Sequence, residues 1–104
     1  MKKGKRKTVL SRFARLDPDS KKAKSFAARY AAAAKRRTLE EAYKKPSKAK
    51  LAAWEYCESL RRTLGGRNLT VTAAGPYFFS AAFECPEGLV YVTPGTDWFI
   101  PTAG

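Results

Sequence analysis

The chain has 104 residues, room for one small domain, and carries 21 Lys and Arg against 9 Asp and Glu, a net charge of +12. It has no histidine and only two cysteines, Cys57 and Cys85, so it lacks four close donors for zinc, and no metal or other cofactor is expected. No stretch approaches the roughly 20 apolar residues of a membrane span, and the basic start MKKGKRKTVLSRFARL precedes no secretory apolar run, so a soluble cytoplasmic protein with free thiols and no membrane partner is expected.

The charge is unevenly spread. Residues 1–50 hold 18 basic and 4 acidic residues, and residues 51–104 hold 3 and 5, so the whole excess lies in the first half. Each Lys or Arg set beside a phosphate displaces condensed counterions, which makes such a half the footprint of a polyanion binder. The plain alternative is a solvated tail that only keeps the chain soluble.

Residues 1–7, MKKGKRK, contain nothing to bury and are expected to be disordered until an anion orders them. Val9, Leu10, Phe13 and Leu16 then recur at helical spacing with Arg12 and Arg15 interleaved, which predicts one or two turns of amphipathic helix. Asp17-Pro18-Asp19-Ser20 reads as a helix start with Asp17 as cap and Pro18 at the first helical position. The run KKAKSFAARYAAAAKRR follows, with high helix propensity and a narrow stripe of Phe26, Tyr30 and alanines. Two large apolar side chains give little to a core; they either dock this helix on the domain or leave its small-residue face for a partner. Thr38 and Glu41 have capping-box spacing and predict a further helical segment ending before Pro46.

Pro46–Gly66, PSKAKLAAWEYCESLRRTLGG, reads as one amphipathic helix capped by Ser47 and stopped by Gly65-Gly66. Its Ala53, Trp54, Cys57, Leu60 and Leu64 share a face suited to a core. From Arg67 the period switches to two, with turns at Gly75-Pro76, Pro86-Glu87-Gly88 and Pro94-Gly95. The expected fold class is therefore α+β: basic N-terminal helices, then a helix packed on a three- or four-stranded antiparallel β-meander. Residues 1–45 read as a basic helical arm. Residues 46–104 read as a small α+β domain, with a helix over 46–64 and strands near 68–74, 77–85, 89–93 and 97–100.

Catalysis is not expected. No histidine is present, no Ser or Cys sits in a nucleophile context, and Glu84, Glu87 and Asp97 flank turns singly. The candidate nucleic-acid contacts are Lys5, Arg6, Lys7, Arg12, Arg15, Lys21, Lys22, Lys24, Arg29, Lys35, Arg36, Arg37, Lys44, Lys45 and Lys48, densest from Arg29 to Arg37. Tyr77, Phe78 and Phe79 put aromatics on both faces of a strand while one helix covers only one face. The second face is either a stacking platform or interface, or it lies beneath the basic helix or a second copy. No basic residue interleaves with these aromatics, which favours the charged helices as the contact.

PSKAKLAAWEYCESL, with GGRNLTVTAAGPYFFSAAF and LVYVTPGTDW, resembles short uncharacterised proteins of bacterial phages and mobile elements over residues 46–100. The resemblance implies no catalytic residue; it implies an accessory role in a bacterial host cell. The leading expectation is a non-enzymatic nucleic-acid-binding accessory protein that grips a phosphate backbone through its basic helices. One alternative is an inhibitor of a host nucleoprotein defence enzyme, anti-CRISPR-like, acting by protein–protein and nucleic-acid contacts. A second is a structural component of a phage particle.

Overall fold

The computed structural model describes residues 9–33, 45–74 and 79–102. In chain order the elements are β1 (Ala14–Arg15), α1 (Lys21–Ala32), α2 (Lys48–Thr63), β2 (Arg67–Ala74), β3 (Phe79–Cys85), β4 (Gly88–Thr93) and β5 (Thr96–Pro101). The chain is α+β, as the switch from helical to strand period predicts, but its sheet is larger than the expected meander. Strands β2 to β5 form an antiparallel meander, and β1 adds to β5 in parallel, giving a mixed five-stranded sheet in the order β1-β5-β4-β3-β2.

The added strand corrects the helix expected over Val9–Leu16. Of these residues, 9–11 are helical. The turn closes with the Arg12 and Phe13 amides donating to the Val9 and Leu10 carbonyls at 3.1 and 3.2 Å. The chain then extends, Ala14 pairs with Trp98 and Arg15 with Phe99, and the Leu16 amide donates to the Phe99 carbonyl at 2.9 Å. An open β5 edge offers unpaired carbonyls and amides, and their satisfaction outweighs continuing the helix through Ala14 and Arg15.

The start of α1 is also displaced from the expected cap. Asp17 folds back on itself instead: its Oδ1 accepts from the Asp19 amide at 2.9 Å, and its carbonyl accepts from the Ser20 amide at 3.0 Å. This is a turn with Pro18 at its second position, where the ring pre-sets φ. Ser20 becomes the N-cap, at φ −69° and ψ 155°, and its Oγ accepts from the Ala23 amide at 3.2 Å.

Helix α2 follows its sequence signals. Ser47 caps it, accepting from the Lys50 amide at 3.3 Å. At the other end Gly65 adopts φ 64°, and the Gly66 amide donates to the Arg61 carbonyl at 2.7 Å, a 6→1 closure that satisfies a terminal carbonyl. Gly66 has a second reason to be glycine: a Cβ there would overlap the Phe83 ring.

Alternation along the strands divides the core into two layers. Phe79, Ala81, Phe83, Val90, Val92 and Phe99 point to one face and pack with Cys57 of α2 and its C-cap Leu64, with Val9, Leu10 and Phe13 joining at the margin. Ala82, Tyr91 and Ile100 point to the other and pack with Ala23 and Phe26 of α1 and with Leu16. The sheet is thus held between two helices. Phe26 stacks on Tyr91, ring centroids 3.9 Å apart and planes 5° from parallel, and meets Trp98 edge-on at 5.9 Å. Residues 14–32 therefore belong to the same sheet and core as residues 48–101. The sequence expectations for residues 1–7 and for the Thr38–Glu41 segment lie outside the described residues.

Candidate nucleic-acid interface

Helix α1 crosses the sheet from β5 to β2. Near its start Phe26 and Lys22 touch Trp98 of β5; near its end the Tyr30 hydroxyl lies 2.8 Å from the Asn68 carbonyl and 3.0 Å from Glu84 Oε2. Ala23, Phe26, Tyr30 and Ala33 recur at three- and four-residue spacing, so one narrow stripe makes all the inward contacts. Apart from Lys22, the rest of the helix faces water.

That outward surface is uniformly cationic. Lys21, Lys24 and Arg29 are exposed, separated by Ser25, Ala28, Ala31 and Ala32, with no acidic residue in the helix. Among the described residues no carboxylate lies within ion-pair distance of these three. Lys22 differs: its Nζ sits 4.0 Å from the Trp98 ring centroid and 5.8 Å from that of Phe26, a cation–π contact that fastens the helix to β5.

The remaining sequence candidates are dispersed. Arg12 and Arg15 are exposed at the β1 edge, and Arg15 lies over the Phe99 ring at 5.6 Å, on the sheet face covered by α2. Lys45 and Lys48 are exposed at the start of α2. Lys5, Arg6, Lys7, Lys35, Arg36, Arg37 and Lys44 lie outside the described residues, as do Tyr77 and Phe78. Phe79 is only 8% exposed and meets Trp54 edge-on at 6.4 Å, so it belongs to the core and offers no stacking face. Arg67, absent from the sequence candidates, has a side chain 79% exposed and 3.9 Å from Glu84.

A groove on the opposite face also escaped the sequence reading. The Tyr56 hydroxyl of α2 donates to Asp97 Oδ2 of β5, and cavities of about 580 Å³ open on both sides of this link. One is lined by Ala49, Lys50, Ala53, Phe79 and Pro94, the other by Val9, Arg12, Phe13 and Leu60. The two partners are 41 residues apart, and no spacing rule joins a helix-edge tyrosine to a turn carboxylate. Loss of solvent, then the bond to Asp97 and its charge, push the Tyr56 pKa up to about 12. Burial likewise raises Cys57 to about 12, with Asp97 and Glu58 adding to the effect, and burial is the main cause raising Cys85. Both cysteines are free thiols, held in their protonated, unreactive form. No cluster of three or more metal-ligating side chains occurs among the described residues, and no described helix is long and apolar enough to cross a membrane.

Neither protein-family models, curated proteins nor solved structures match the chain.

Proposed function

We propose that this is a non-enzymatic nucleic-acid-binding accessory protein of phage or mobile-element origin that holds a phosphate backbone on the outer surface of α1. The observation that carries the reading is the division of labour on that helix: one stripe docks it rigidly, and Lys21, Lys24 and Arg29 stand exposed without ion-pair partners among the described residues. Cations used for folding would be paired or packed, as Lys22 is. The outer face has no large apolar side chain to sink into a lipid interface, which argues for phosphate on a polymer over a membrane surface. The origin rests on the resemblance of residues 46–100 to phage and mobile-element proteins.

A salt titration of binding to generic DNA and RNA tests the reading. Affinity is expected to fall steeply with salt, and replacing Lys21, Lys24 and Arg29 by Ala should reduce the log–log slope by about 3, near 0.9 per lost phosphate contact. Absence of binding at moderate salt overturns it. The inhibitor reading differs in its partner: capture of a host nucleoprotein enzyme that survives nuclease treatment would replace the backbone-binding reading.

A further inference from the structure

The aromatic side chains of the sheet are its internal glue. Phe79, Phe83 and Phe99 are covered by α2, and Tyr91 by α1, each at most 8% exposed. Tyr56, which is 48% exposed, is tied to a carboxylate that repels phosphate. Proteins that hold single strands without sequence preference rely on exposed aromatic faces for base stacking; of the described sheet's rings only Trp98 is half-buried rather than buried, and it is engaged by Lys22 over its ring and Phe26 at its edge. Helix α1 offers charge and flatness instead. Its 12 residues span about 18 Å at 1.5 Å per residue. Over that length a duplex carries about ten backbone charges, and a single strand with the same stacked spacing about five. The small residues between the cations, Ser25, Ala28, Ala31 and Ala32, let a stiff backbone approach closely. End-on binding at the helix start is closed off, because Ser20 Oγ already takes the Ala23 amide and Asp17 and Asp19 are exposed beside it. The contact therefore runs along the flank of α1.

We infer that the nucleic acid held on the flank of α1 is double-stranded, gripped through its backbone without base stacking or base reading. This rests on the nucleic-acid reading above and narrows its substrate class. The test uses the full chain in fluorescence-anisotropy titrations at one salt concentration, against DNA and RNA duplexes of about 20 base pairs and against oligothymidylate and oligouridylate of equal length. Either duplex, or both, is expected to bind at least about tenfold more tightly than the single strands, with a salt slope near −0.9 per contact instead of −0.7. The combined Lys21→Ala, Lys24→Ala, Arg29→Ala variant, with unchanged circular dichroism, should lose that preference. Single strands that bind as well as duplex overturn the inference and leave nucleic-acid binding standing. A triple variant that keeps its duplex preference overturns the assignment to α1. Binding of neither class overturns both the inference and the reading beneath it.

Discussion

The two helices lie on opposite faces of one sheet and solve the same packing problem with different surfaces. Helix α2 buries Cys57 and sets Trp54, Leu60 and the buried C-cap Leu64 against the sheet, while its outer face mixes Glu55 and Glu58 with Lys48, Arg61 and Arg62. Arg61 even pairs with Glu58 at 3.6 Å. Helix α1 docks through two aromatic rings and alanines and carries cations only. A mixed surface neutralises itself locally. An unmixed one keeps its field for something outside the chain, at the cost of self-repulsion.

The largest expected effect tests whether α1 is as integral as α2. Phe26→Ala removes the stack on Tyr91 and the edge contact with Trp98, and should cost about 3–5 kcal/mol in chemical denaturation, within the about 2–5 kcal/mol range of Leu64→Ala beneath α2. A loss near zero would make α1 an attached arm. Next comes pH. Unfolded, the Cys57 thiol ionises near 9.0, whereas in the fold it stays protonated to about 12. Stability is thus full below pH 9 and falls as pH rises through that window, by about 1.4 kcal/mol per unit, because the unfolded chain releases a proton that the native one keeps. Cys57→Ala should flatten this alkaline slope, measured as the denaturation midpoint against pH.

Smaller effects sharpen the contrast. Gly66→Ala forces a methyl into the Phe83 ring on the α2 side and should cost about 1–3 kcal/mol, read from thermal melts. On the α1 side, Tyr91→Phe keeps the stack and removes a buried hydroxyl without a partner among the described residues, and should stabilise by about 1 kcal/mol. Replacing Lys21, Lys24 and Arg29 by Ala should change stability by less than about 0.5 kcal/mol while weakening polyanion binding. A large destabilisation there would mean that the cations serve the fold.

The α2 half was legible because its signals are local: Ser47, Gly65 and the period of two each act within a few residues. Strand β1 was not legible for the opposite reason. Ala14 and Arg15 are too few to show a period, and their conformation is imposed by the β5 edge. The cap at Ser20 in place of Asp17 was a competition between two good acceptors, settled by the turn that Pro18 permits. At the candidate site, composition marked α1 as cationic, yet only the sheet distinguishes Lys22, held over Trp98, from its exposed neighbours. The pairing of Tyr56 with Asp97 depends on how β5 sits against α2, which neither residue's neighbours record.

The parallel seam between β1 and β5 ties Ala14 to Trp98, nearly the full length of the described chain. During synthesis from the amino end, residues 14–32 emerge well before the rings that α1 leans on, Tyr91 and Trp98 above all. The sheet closes late, since pairing so distant in sequence must first overcome a long loop. On the ribosome, the cationic helix is thus exposed on all sides, Phe26 and Tyr30 included, until β4 and β5 arrive to receive it.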